Sequence, residues 1–413
     1  MVAVERVTDN RLCCVALPLL ARDVGQNLAN LFDLWDDPRF LPRVSTTGPL
    51  PHLLIVLNKG DSETMQRAEE MFRARPSMAA CFAGIKVEDA GLEGDRDLYA
   101  RDAAEAKGIY GNKAGPNFLF QRTMEFAAVY GGWTLQIEVD CLPVRAGWLE
   151  ATQQVIEGGA RSWVIGTIYG GNRGLDRSIQ THLNGNALYK TGDPAFQKFV
   201  AEVWIPSILK LVPELPNLAY DCWWSLQCFW ADSYLGNEAW ELFKTYGSFF
   251  RYDPFVVNLL VPADQSREFA RLFLRFAAID RVPVFFHGAA MNTVLPALLE
   301  NRQDSILSAI SRLDPSGNDL ALADLVQAAP GQSEQSDIIS QLSARLAGGD
   351  LAAANLLLVS CSTRLLIDPS KILARQEADT ALASAIRLAM TAASQAARSC
   401  YRAALDHAQQ TAT

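Results

Sequence analysis

Apolar runs of strand length alternate with amphipathic stretches through the first three quarters of the chain. "RLCCVALPL" (11–19) is apolar almost throughout and predicts a strand. "HLLIVLNKGDSE" (52–63) predicts a second, which ends in Asn58-Lys59-Gly60-Asp61. "SETMQRAEEMFRA" then takes up helical spacing, with Asp61 or Ser62 as its cap. "GIKVEDAGL" (84–92) is a short third strand, and "NFLFQRTMEFAAVY" (117–130) is an amphipathic helix. "WTLQIEVD" (133–140) follows as a central strand and "SWVIGTIYGG" (162–171) as another. This rhythm predicts an α/β domain with a mostly parallel central sheet flanked by helices. Ligands of such sheets bind outside the carboxyl ends of the strands. Four polar strand ends therefore share one predicted rim: the segment from Pro18, Asn58–Asp61, Glu88–Asp89 and Glu138–Asp140.

The pattern changes near residue 300. Every Trp and Phe lies before Asp304, and Tyr401 is the one aromatic after it. "DIISQLSARLAGGDLAAANLLLVSC" and "DTALASAIRLAMTAASQAARSCYRAALDHA" have helical periodicity and little strand character. The expected organisation is an α/β domain over 1–300 and an all-helical C-terminal region over 301–413. The total of 413 residues agrees, since single cores stop growing near roughly 250–300 residues.

Composition removes several function classes. The net charge is −9 with no Lys/Arg cluster, which argues against a nucleic-acid partner. Eight cysteines include no C-x-x-C pair, and four histidines include none at zinc-finger spacing. In a chain of this size they read as reduced thiols of a cytoplasmic protein. The apolar run of "RLCCVALPLLA" is short, interrupted by Pro18 and preceded by Glu5 and Asp9, so it reads as a buried first strand before it reads as a signal peptide. No apolar run is long enough to span a bilayer. Phosphate loops of the G-x-x-x-x-G-K-[ST] and G-x-G-x-x-G types and the G-x-S-x-G elbow are absent.

Residues that carry chemistry cluster after the third strand. Glu138 and Asp140 are separated by one residue, so on a pleated strand both point to one face. Two such carboxylates repel unless a cation lies between them or one is protonated. Hard divalent ions are natural partners, and Mg²⁺ typically takes one or two carboxylates plus substrate phosphates. The alternative is a turn in which Asp140 caps a backbone N–H and Glu138 pairs with a lysine. Further on, Asn184-Gly185-Asn186 precedes "ALY" and a helix opened by Asp193-Pro194, the residue types of a helix cap and first turn. These residues line a site or make a tight turn, with His182 beside them. Asp221 opens an aromatic helix with Trp223, Trp224 and Trp230, either as a general base or as a cap. His287 ends an apolar strand in "Phe-His-Gly"; it is a third ligand beside two carboxylates or a packed strand-end histidine.

Taken in order, Glu138-Val139-Asp140, "NGNALY" (184–189), Tyr220-Asp221 and "FHG" (286–288) resemble the nucleotide-sugar-dependent glycosyltransferases of the GT-A fold, over roughly residues 10–295. Here the first acid of the Asp-x-Asp-type motif is Glu. The resemblance implies a nucleoside-diphosphate sugar as donor, a glycan or glycoconjugate hydroxyl as acceptor, and Mn²⁺ or Mg²⁺ held by Glu138, Asp140 and His287. It makes Asp221 the base of an inverting reaction, with inversion or retention left open. It sets Asn184, Gly185 and Asn186 along the sugar, with Gly185 admitting a ligand close to backbone, and turns Lys59 and Lys113 toward the donor, with Arg122 on the donor-facing helix. Surface-polysaccharide synthesis is the setting it implies. The helical C-terminal region is expected to bind a protein partner or to self-associate. Two rivals stand beside this: a sugar-nucleotide nucleotidyltransferase, whose Gly-rich first loop is here "ALPLLARDVGQN", and a non-catalytic scaffold that retains the fold.

Overall fold

The computed structural model describes residues 10–45, 48–100, 108–159, 162–167 and 182–229, and between 242 and 303 the segments 249–253, 255–258, 284–288 and 291–303 with a few single positions. The helical region expected beyond residue 303 and Trp230 lie outside the described residues.

Four strands build the half of the sheet that the pattern predicts: β1 (Leu12–Leu20), β2 (His52–Asn58), β3 (Ile85–Asp89) and β4 (Trp133–Gln136). They are all parallel, with β1 between β2 and β4 and with β3 outside β2. After β4 the chain makes β5 (Cys141–Pro143), which leaves for a second sheet. β6 (Val164–Gly166), β7 (Ala187–Tyr189) and β8 (Phe250–Tyr252) complete a seven-stranded sheet of order β3-β2-β1-β4-β7-β6-β8. β7 runs antiparallel to β4 and β6, and β6 and β8 are parallel again. The architecture is therefore α/β and mostly parallel.

Helices cover both faces, which explains why the strands are apolar on successive residues and do not alternate. Val15, Leu17 and Leu19 enter one core, while Cys14 and Ala16 enter the other. The first core is closed by α1 (Gln26–Asp36), α2 (Ser62–Arg73), the short α3 (Pro76–Ala79), α5 (Trp148–Glu157) and α9 (Met291–Glu300). The second is closed by α4 (Ala114–Ala127), α6 (Pro194–Phe199), α7 (Ile205–Leu211) and α8 (Tyr220–Phe229). The predicted caps form: Asp61 Oδ1 accepts from the Thr64 amide at 2.7 Å, and Asp193 Oδ1 accepts from the Ala195 amide at 2.9 Å. Trp223 and Trp224 are packed inside the second core, with Trp224 stacked on Phe250 at 3.8 Å between ring centres. Among the described residues no helix is long and apolar enough to cross a membrane. Cys14, Cys81 and Cys141 are buried free thiols.

Two features of this topology position the site. β2 and β4 leave β1 on opposite sides, so the crevice between the carboxyl ends of β1 and β4 is the switch point where open α/β sheets take ligands. The second sheet has the order β5-β10-β9, formed with β9 (Val256–Asn258) and β10 (Phe285–His287). Its register sets His287 beside Cys141 on one neighbour and beside Asn258 on the other.

Trp148 links helix α1 to the second sheet. Its ring lies 5.0 Å from Trp35 and 5.3 Å from Phe285, and its indole N–H donates to the Phe40 carbonyl at 3.1 Å. Trp148→Ala is expected to cost about 3–5 kcal/mol in a denaturant titration, since it opens a cavity beneath the strand that carries His287.

Candidate metal centre

The acids converge by a route other than the one the spacing predicts. Strand β4 ends at Gln136, so Glu138 and Asp140 do not share a pleat. They lie on a turn closed by the Cys141 amide, which donates to the Glu138 carbonyl at 3.0 Å. The pairing of β1 with β4 carries on through Ile137, whose amide donates to the Ala16 carbonyl at 3.0 Å. The turn thus starts from a strand end fixed in the sheet centre.

His287 meets both acids there. Its Nε2 lies 3.1 Å from Glu138 Oε2 and 3.5 Å from Asp140 Oδ1. One ligand atom from each of the three residues lies within 4.8 Å of the others. Glu138 is half exposed, Asp140 less so, and His287 is nearly buried. Burial by itself would lower the His287 pKa, but hydrogen bonds and charge from Asp140 and Glu138 outweigh it and raise the group to about 10. With no cation bound, an imidazolium thus balances the two carboxylates. A divalent ion would replace that proton with a larger charge. Two carboxylate oxygens and an imidazole nitrogen fit Mn²⁺ or Mg²⁺ as a partial set completed by phosphate or water.

Asn184, Gly185 and Asn186 form the frame around Glu138. Asn186 Oδ1 accepts from the Glu138 amide at 2.6 Å, and its Nδ2 lies 3.4 Å from Glu138 Oε2. Asn184 Oδ1 in turn accepts from the Asn186 amide and from its Nδ2, both at 2.9 Å. Both side chains are buried, so these residues hold the acid in place. At Gly185 the space of a side chain is taken by Tyr220, whose hydroxyl would stand 2.0 Å from an added Cβ. Gln136 Nε2 donates to the Gly185 carbonyl at 3.0 Å and to the Tyr220 hydroxyl at 2.9 Å, which joins strand end, loop and helix α8.

Asp221, on the first turn of α8, lies on the far side of His182: Asp221 Oδ2 is 3.8 Å from His182 Nε2. Burial raises the Asp221 carboxyl above the usual carboxylate range; His182 pulls it down and the Glu138 charge pushes it up. His182 Nε2 is 3.4 Å from Asn258 Nδ2, and Asn258 Oδ1 is 3.0 Å from His287 Nδ1. A continuous row runs from Asp221 to the two acids. Sequence reasoning missed Asn258; its one signal was a polar residue ending the apolar run "FVVN".

The predicted cations each have a partner outside the acid–histidine cluster. Lys59, on the rim at the end of β2, is ion-paired with Asp97. Lys113 donates to the Ala100 carbonyl at 2.8 Å. Arg122 is ion-paired with Glu125 and lies over the Phe126 ring at 4.5 Å.

Fold and site together define an α/β protein with an acid–acid–histidine cluster at the switch point of its main sheet. No protein-family model matches the chain, and no curated protein sequence matches it. Similar solved structures do exist. Mouse xyloside xylosyltransferase 1, in its apo form, aligns with a TM-score of 0.41 at 9% identity, over 68% of this chain and 98% of that one. The bifunctional glycosyltransferase WbbM aligns with a TM-score of 0.37 at 10% identity, over 80% of this chain and 53% of that one. The mannosyltransferase PcManGT of Pyrobaculum calidifontis, solved with GDP-Man and Mn²⁺, aligns with a TM-score of 0.29 at 12% identity, over 95% of this chain and 88% of that one.

The Gly185–Tyr220 contact makes a direct stability test. Gly185→Ala is expected to destabilise the fold by about 1–3 kcal/mol through overpacking. Tyr220→Phe removes the nearest clashing atom, so the double variant should be more stable than the sum of the single losses predicts. Denaturant melts of the four proteins measure this coupling.

Proposed function

We propose that this chain is a divalent-metal-dependent glycosyltransferase, moving a sugar from a nucleoside-diphosphate sugar to a hydroxyl on a glycan or glycoconjugate. The observation that carries the reading is the convergence of Glu138, Asp140 and His287 at the carboxyl rim between β1 and β4. In this reading Glu138, Asp140 and His287 would hold Mn²⁺ or Mg²⁺, which would supply counter-charge for a departing nucleoside diphosphate. The resemblance of the ordered motifs to GT-A enzymes supports the same conclusion.

The chain's own residues have distinct tasks here. Asn186 and Asn184 keep Glu138 aimed at the ion, so little reorganisation accompanies binding. Asp221 Oδ2 takes the acceptor hydroxyl proton if the reaction inverts, and a carboxyl raised by burial is a stronger base for that step. Lys59 stands on the same rim and would meet donor phosphate by leaving Asp97, whereas Lys113 would have to leave the Ala100 carbonyl. The region from 301 onward is assigned to self-association or to a protein partner.

Three measurements test the reading. In a Mn²⁺ titration, Asp140→Asn should weaken binding by at least about tenfold, in line with metal sites that lose a single supporting group; equal affinity would remove Asp140 from the site. A thermal-shift screen against UDP-, GDP-, CMP- and TDP-sugars, with and without Mn²⁺, should give a metal-dependent shift with at least one donor. No shift with any of them favours a non-catalytic scaffold. With the donor identified, Asp221→Asn should lower turnover by about 10²–10⁴-fold while donor binding survives. Near-normal turnover would leave Asp221 with a structural role alone.

A further inference from the structure

We propose that Asn258 is the positioning residue of this site: one buried side-chain amide sets which nitrogen of His287 faces the acids and which nitrogen of His182 faces Asp221. The inference rests on the metal reading for its consequence, though its geometry stands independently of any ion.

Asn258 and His287 are direct neighbours on the parallel strands β9 and β10, and both strand ends are buried. The amide of Asn258 is fully enclosed, so its orientation is set by its partners. Its Oδ1 lies 3.0 Å from His287 Nδ1. An amide oxygen only accepts, so Nδ1 must carry the proton. That assigns Nε2 as the nitrogen that faces Glu138 and Asp140, at 3.1 and 3.5 Å. This nitrogen is then the one able to offer a lone pair to a cation between them. The reversed amide would set an N–H against Nδ1, leaving the ring to hold its proton at Nε2, where an ion would have to bind.

The other end of the amide works in the same way on His182. Nδ2 only donates, and it lies 3.4 Å from His182 Nε2. His182 therefore accepts at Nε2 and keeps its proton on Nδ1. Asp221 Oδ2 lies 3.8 Å from the same Nε2. One amide thus orients an imidazole at each end of the row, and it cannot reverse to suit a turned His287 without losing its donation to His182. Outer partners of this kind typically account for about 10–100-fold in metal affinity.

The full-length chain with Mn²⁺ alone as probe tests this. Asn258→Leu keeps the shape and removes both donor and acceptor; Asn258→Asp keeps an acceptor for His287 Nδ1. Mn²⁺ affinity, read from the free-ion electron paramagnetic resonance signal, should fall about 10–100-fold in Asn258→Leu and stay near wild type in Asn258→Asp. Wild-type affinity in Asn258→Leu, or an equal fall in both variants, overturns the proposal. The chain has four histidines, so ¹⁵N-histidine labelling gives a tractable second readout on the metal-free protein. A slowly exchanging Nδ1–H resonance, assigned by its loss in His287→Gln, should be present in wild type and in Asn258→Asp. Its absence from wild type overturns the proposal even if Asn258→Leu does not fold. A wild-type protein that shows this resonance but binds no Mn²⁺ sinks the metal reading and leaves the hydrogen bond to be judged on its own.

Discussion

Two carboxylates brought together at the end of a central strand repel, and the arrangement of this molecule around its main sheet follows from how that repulsion is met. Glu138 and Asp140 face one imidazole, His287, delivered on a strand from the far end of the described chain. The three residues are held by three different elements: the turn after β4, strand β10 and, through Asn186, the loop before β7. A charge cluster assembled from such distant segments exists only when both sheets are in place. Its electrostatics therefore depend on packing that lies well away from it.

That packing is built in layers. The parallel half of the main sheet has apolar residues on both faces, so strand ends are the places where polar groups escape burial without losing hydrogen bonds. β4 ends beside β1 at the switch point, and the chain turns into a second, three-stranded sheet. The register of that sheet puts Cys141, His287 and Asn258 in one row. Trp148 sits under the row, bridging Trp35 in α1 and Phe285 in β10. The apolar core thus packs against the strand that carries the imidazole.

A polar layer lies above this core. Asn184, Asn186, Gln136 and Tyr220 bond to one another, to Glu138 or to the Gly185 backbone, in a region where an unpartnered group would carry a desolvation cost. The same layer brings α8 close enough for Asp221 to feel the Glu138 charge. An acid raised by burial next to a histidine, and a cluster of two acids and a histidine, are thereby joined through Asn258. The Asp221 carboxyl and the acid–histidine cluster are thus held in one connected row.

Hydrophobic periodicity was enough to read the α/β class, strands β1 to β4, the caps at Asp61 and Asp193 and the shared rim, because these depend on local spacing and on residue type. Acid-x-acid spacing also marked Glu138 and Asp140, and the order of motifs marked His287. The pleat argument that joined the acids did not hold, since β4 stops at Gln136 and a turn does the joining; where a strand ends depends on its neighbours in the sheet. The space a side chain would need at Gly185 is taken by Tyr220, 35 positions along the chain, a contact that no local spacing reveals. Asn258 could not be singled out from its surroundings in the sequence. Its role arises from strand register between residues 29 apart, and register is decided by the pairing of whole strands. Residue types along the chain thus determined which chemistry was available. Tertiary structure decided which groups meet, because side chains far apart in sequence come within a few ångströms only when the sheets that carry them are packed.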